Sequence, residues 1–168
     1  MTAYFEQDSV LLKFPAHGRF ALLCSLLSYW DERGRRHTCG GEMPMPTDGM
    51  SIPRFSGAAM DLDPFRNPFL RACILHDHYC YKAATLPAYS QERYDLRLSG
   101  DNLFMEMCEV CVPDDWRIPI MYNGVRVGAY AAQNDPAIPD YDDDPDAFWV
   151  RFLRANDLPI SARPPGGQ

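Results

Sequence analysis

Hydrophobic and polar positions along the chain change rhythm three times. Residues 10–14 and 19–30 are dense apolar runs separated by a Pro-Ala-His-Gly turn at 15–18, the pattern of an antiparallel strand pair or hairpin. Residues 31–68 lose that density: seven glycines and prolines fall between Gly40 and Gly57, and Pro64 and Pro68 follow, which predicts mostly loop. A loop of that length in a compact chain usually carries function. From Asn67 onward the spacing becomes helical. Asn67 suits a cap, Pro68 suits the first helical position, and Phe69, Ala72, Cys73, His76 and Cys80 share a face, so a helix is expected over 68–84. Leu103, Phe104, Met107, Cys108 and Cys111 continue a second one over 90–111, with a break expected at Ser99-Gly100 and Asp101 capping or starting its last segment. A third helix is expected near 116–132, where Ile120, Val127 and Ala131 lie near one face, and a short amphipathic one at 147–155. The two longer helices are expected to pack antiparallel. The fold class is α+β in one domain, 1–168, with a core at 45–132 and an acidic, proline-rich extension at 134–168.

Composition narrows the class. The chain has 168 residues, 46% hydrophobic and 12% aromatic, enough to bury a core and exclude wholesale disorder. Its 15 prolines require short elements. A formal charge of −7 argues against a partner held by its phosphate backbone, so no nucleic acid is expected. Most of that charge is local, because residues 135–157 carry seven aspartates against Arg151 and Arg154. The longest apolar run, 20–30, is about half the roughly 20 residues of a membrane span, so no transmembrane segment is expected. Residues 1–9 are polar and acidic, unlike a Sec signal. With no such signal, the six cysteines are expected as free thiols.

Candidate chemistry concentrates at 71–81, where two of four histidines, two of six cysteines and an acid lie together. No phosphate loop, dinucleotide fingerprint or Gly-x-Ser-x-Gly elbow occurs. On a helix His76 and Asp77 sit about 100° apart, so they can flank one site: an imidazole that takes a proton from water, and a carboxylate that holds a hard cation. Such a histidine needs an acid on its other ring nitrogen. Asp95 and Asp101 are the candidates, and Asp101 is preferred because it shares a face with Phe104 and Cys108. The cation would need further oxygens. The loop Thr47-Asp48-Gly49-Met50-Ser51 can supply backbone carbonyls, Asp48 adds a carboxylate, and Gly49 can take the positive φ of a sharp turn. Other readings are weaker. Cys73-x-x-His76 and Cys108-x-x-Cys111 have zinc-like spacing, but they sit in apolar helical patterns where thiols pack as small hydrophobes. His78 reads as a surface residue, and the aspartates at 140–146 lack an EF-hand's glycine and glutamate.

The blocks Thr47-Asp48-Gly49-Met50-Ser51-Ile52-Pro53-Arg54-Phe55 and Phe69-Leu70-Arg71-Ala72-Cys73-Ile74-Leu75-His76-Asp77, with the helix from Asp101, resemble the phage and prophage family catalogued as domain of unknown function 1353. They are also similar to bacterial secreted phospholipases A2, which carry an Asp-Gly-x-Ser loop, an Ala-Cys-x-x-His-Asp helix and an Asp-x-x-Phe helix in this order. That resemblance implies His76 as general base for water, Asp101 as its orienting acid, and Asp77, Asp48 and the Met50 carbonyl as Ca²⁺ ligands. It departs at two positions. Cys80 stands where those enzymes have tyrosine, and Met50 replaces a loop cysteine, which removes a disulfide.

Two functions follow as expectations. One is a phage- or prophage-encoded, Ca²⁺-dependent ester hydrolase of phospholipase A2 type, acting on a lipid or another ester. The other is a non-catalytic phage structural or assembly protein, such as a tail or baseplate component, which meets other phage proteins. Either places the chain in the host cytoplasm or the virion. The enzyme reading expects His76 Nδ1 on Asp101 and the other ring nitrogen open beside Asp77.

Overall fold

The computed structural model describes residues 2–14, 20–41, 45–49, 62–138 and 150. Among the described residues six short strands make two three-stranded antiparallel sheets. Strands β1 (Tyr4–Phe5), β4 (Leu27–Trp30) and β5 (Arg36–Cys39) form the first in the order β1-β4-β5; β2 (Leu12–Lys13), β3 (Ala21–Leu23) and β6 (Met45–Thr47) form the second in the order β2-β3-β6. Among the described residues the longer helices that follow are α1 (Leu70–Ala84), α2 (Gln91–Cys111) and α3 (Ile118–Ala131). The fold is α+β.

The apolar run 19–30 is two strands in different sheets, not one. Ser25 lies where the chain crosses over: its Oγ accepts from Leu11 N at 3.0 Å, and Cys24 N donates to Leu11 O at 2.8 Å, so the backbone stays satisfied through the change of sheet. Strand β2 pairs antiparallel with β3, Leu12 opposite Leu23, as the hairpin pattern predicts; the 15–18 turn itself lies outside the described residues. The stretch 31–68, read as mostly loop, contains β5 and β6. In β5 only Cys39 is buried, which hides the alternation, and β6 contains Pro46. Proline is compatible with β6 because this strand is at the edge of its sheet.

Helix α1 begins at Leu70, two residues later than expected. Asn67 Oδ1 accepts from Phe69 N at 2.9 Å, so Asn67 closes a turn ahead of the helix and Pro68 belongs to that turn. Helix α2 starts where Ser90 Oγ accepts from Arg93 N at 3.2 Å and runs without a break through Ser99-Gly100, which makes Asp101 a mid-helix residue and not a cap. Helix α3 follows an Asp115 turn, in which the carboxylate accepts from Arg117 N at 2.9 Å. It buries Ile118, Met121, Gly124 and Ala129, whereas Ile120 and Val127 face outward. The helix is apolar nearly all round, so periodicity alone picks the wrong face. The expected helix at 147–155 falls outside the fully described residues.

Helices α1 and α2 are antiparallel neighbours: Tyr79 meets Gly100, while His76 meets Asp101 and Phe104. Gly100 sets how closely they approach, since a Cβ there would lie 2.6 Å from Tyr79 Cβ. One hydrophobic cluster joins strands to helices, with Leu23, Leu27, Tyr29, Phe69, Leu75 and Met107 fully buried. Two polar ties fix the first sheet against this pair. Tyr29 Oη donates to Glu106 at 2.9 Å, and His37 bridges buried Asp31 (Nε2, 3.2 Å) and Tyr79 Oη (Nδ1, 2.6 Å). No helix among the described residues is long and apolar enough to cross a membrane.

Candidate functional site

The helical stagger of α1 sends His76 and Cys80 toward α2, and Asp77 toward the end of β6. His76 Nε2 lies 2.7 Å from Asp101 Oδ1, and Arg126 Nη1 of α3 donates to Asp101 Oδ2 at 2.6 Å. Asp101 is 1% exposed, so both carboxylate oxygens are used by side chains from two other helices. Sequence reasoning expected Nδ1 in this contact. The ring is turned the other way, and Nδ1 is the nitrogen left facing away from the carboxylate.

Cys80, one turn beyond His76, completes the immediate surroundings of the ring. Its Sγ is 3.8 Å from Nδ1 and 3.7 Å from Nε2, and Phe104 packs at 5.1 Å between centroids. Burial disfavours the His76 imidazolium, but the Cys80 charge, the Asp101 hydrogen bond and Asp77 outweigh it and hold the ring's pKa well above its ordinary value. Burial raises the Cys80 thiol in turn, and His76 and Arg97 overcome that and bring it below its ordinary value. Each of the two groups is thus a cause of the other's shift, in opposite directions.

On the adjoining side, Thr47 Oγ1 donates to Asp77 Oδ2 at 2.5 Å and accepts from Gly49 N at 3.0 Å. Gly49 has φ +69°, the left-handed backbone expected of the Asp48-Gly49 turn, and a Cβ there would meet Pro64 O at 2.4 Å. Alanine at Gly49 is expected to cost about 1–3 kcal/mol through that strain and clash, read as a lower midpoint in urea unfolding. Burial, followed by the nearby Asp48 charge, pushes the Asp77 carboxyl well above its usual range. The Asp48 charge thus reaches Asp77. Met50 lies outside the described residues, and among those described no group of three or more His, Cys, Asp and Glu side chains is arranged to hold a metal ion. The zinc alternative gains nothing here, since Cys73 and Cys108 are buried in the core and burial raises both thiols. His78 is half-buried, not a fully exposed surface residue.

A family model for proteins of unknown function, DUF1353, matches residues 29–125, more than half of the chain. The chain belongs to the DUF1353 family. No curated protein and no solved structure matches it. The matched stretch of this DUF1353 protein runs from β4 into α3 and contains Asp48, His76, Asp77, Cys80 and Asp101; Arg126 falls one residue beyond it. Arg126 and Thr47 are the site residues that sequence reasoning did not assign. The available signal for Arg126 was a lone charge within the apolar α3 segment. Thr47 carried a weaker one, a hydroxyl two residues before a glycine, the spacing of a side-chain turn.

Proposed function

We propose that this DUF1353 protein is a Ca²⁺-dependent ester hydrolase of phospholipase A2 type. The observation that carries the reading is the 2.7 Å contact between His76 Nε2 and an Asp101 whose second oxygen is held by Arg126. A carboxylate fixed in this way keeps the proton on Nε2 and leaves Nδ1 as the basic nitrogen. When its ring is neutral, His76 takes a proton from water through Nδ1, and Asp101 stabilises the imidazolium that results. Arg126 keeps Asp101 oriented.

Asp77 and Asp48 would hold the cation. They fit a hard divalent ion, because burial and mutual repulsion disfavour two free carboxylates side by side, and a cation relieves both. When bound, Ca²⁺ supplies positive charge for the oxyanion that develops on an ester carbonyl. The Met50 carbonyl is proposed as a further ligand from the phospholipase resemblance. The phage or prophage setting, with the host cytoplasm or the virion as location and other phage proteins as partners, rests on the resemblance of the Asp-Gly-x-Ser-Ile-Pro and Leu-His-Asp blocks.

Calorimetric titration with Ca²⁺ tests the cation site. Binding heat in the wild type, lost in Asp77→Asn and retained in His76→Ala, is the expected result. No heat in the wild type would remove the cation. If fatty-acid release from lipid vesicles is absent too, a virion tail or baseplate component that keeps the scaffold without turnover is left.

A further inference from the structure

Arg35, Arg36, Arg117 and Arg126 each pair with a carboxylate. Two arginines of α2 make no ion pair among the described residues, although both are more deeply buried. Arg93 is fully buried and Arg97 is 9% exposed. Arg93 Nε, Arg93 Nη2 and Arg97 Nε are buried without a hydrogen-bond partner. Residues four apart on a helix are neighbours on one face, so the two guanidinium groups belong to one place in the fold. Burial and the like charge of Arg97 both lower the Arg93 guanidinium from its ordinary pKa. Buried cations with unmatched donors are costly unless negative charge comes to them.

The unmatched donors have a specific shape. Arg93 Nη1 donates to the Asp135 carbonyl at 2.6 Å, which leaves Nε and Nη2. These N–H groups lie on one edge of the planar guanidinium and point in parallel, the edge that holds an oxyanion through two oxygens. Arg97 Nε adds a third donor and a second positive charge. A carboxylate, with two oxygens and one charge, matches the Arg93 edge alone. A phosphate group offers three or more oxygens and carries more than one charge near neutral pH, which matches both arginines. The way in is visible from the main chain. Tyr89 N donates to Gln133 O at 3.0 Å and Ile138 N donates to Ala84 O at 3.0 Å, so residues 133–138 cross from the start of α2 to the end of α1. Residues 134–137 are exposed, and the segment can lift there without parting α1 from α2.

We infer that Arg93 and Arg97 form a binding site for a phosphate-type oxyanion, entered where residues 133–138 cross the start of α2. Arg93 holds two oxygens through Nε and Nη2, and Arg97 Nε takes a third. Binding is by hydrogen bonds and charge alone, with no bond made or broken in the ligand. The site uses none of the residues assigned above to the base or to the cation, so it stands whether or not the protein hydrolyses esters.

The test is calorimetric titration of the full chain with inorganic phosphate and with glycerol 3-phosphate, at fixed ionic strength. Saturable binding of at least one is expected, with acetate about 10-fold or more weaker. Tighter binding of glycerol 3-phosphate assigns the site to a phosphate ester, and equal or weaker binding assigns it to free phosphate. Arg93→Lys keeps a charge and loses the paired donors, so its affinity is expected to fall about 10-fold or more; Arg97→Lys, which gives up one donor, is expected to fall by less. No saturable heat from either phosphate overturns the inference, as does acetate binding as tightly as phosphate, or full affinity in folded Arg93→Lys or Arg97→Lys. If Arg93→Lys does not fold, Arg97→Lys and the acetate comparison decide. No lipid or Ca²⁺ is present, so failure here is distinct from failure of the hydrolase reading.

Discussion

Replacing Gly100 with alanine is expected to destabilise the protein by about 1–3 kcal/mol, although alanine is the better helix former. Propensity alone predicts the opposite sign, a gain of up to about 1 kcal/mol for glycine to alanine inside a helix. The new Cβ, however, would stand 2.6 Å from Tyr79 Cβ and 3.0 Å from its Cγ. Tyr79 has little freedom to move, because its hydroxyl is tied at 2.6 Å to His37, and His37 is tied to buried Asp31. Relief therefore has to come from separating α1 and α2. Asp101 is the next residue on α2, so its contact with His76 lengthens as the helices part. Gly128 of α3 supplies the control: a Cβ there meets nothing within 4 Å, and Gly128→Ala is expected to gain about 0.5–1 kcal/mol. Urea unfolding of the two variants should shift the midpoint in opposite directions.

Asp101→Asn is expected to have the largest effect on turnover. Asparagine keeps the shape but loses the charge that faces both His76 and Arg126. The stability cost is expected near 2 kcal/mol, below the roughly 3–5 kcal/mol for breaking a fully buried pair, because the Arg126 side chain remains 24% exposed. The cost to hydrolysis is expected to be larger, about a thousand-fold in kcat, since an amide can leave the wrong nitrogen of His76 protonated. Adding Arg126→Met separates the two effects. The double variant should recover part of the stability, because the unpaired guanidinium is gone, while its turnover stays low. Recovery of both would reduce Asp101 to a packing role.

What the sequence made legible follows from the range of the interactions involved. Helices α1 and α2 were readable because Phe69, Ala72, Cys73, Leu103, Phe104 and Met107 repeat at helical spacing, a signal that builds up over several turns. The range 90–111 was close to that of α2, whose Ser90 cap the structure adds, and Asp48-Gly49 announced a left-handed turn. Placing Asp101 opposite His76 needed only the assumption that apolar faces meet. The strands were harder to read. Elements of two to four residues carry too little alternation, and whether β3 and β4 share a sheet depends on partners as distant as β1 and β6. Pro46 acts as a breaker in isolation and is harmless only because β6 is at an edge. The same limit hid Arg126 and the orientation of the His76 ring, both of which depend on how a third helix packs. Gly100 is the instructive case. Read locally it suggested a broken helix, whereas its role is to allow another helix to approach.

The central claim, that His76 and Asp101 form a working base in a hydrolase, is tested most directly by fatty-acid release from phospholipid vesicles with millimolar Ca²⁺. The wild-type protein is expected to release fatty acid, with release falling by about a thousand-fold in folded His76→Ala. No release from the wild type, or equal release from the wild type and His76→Ala, would contradict it.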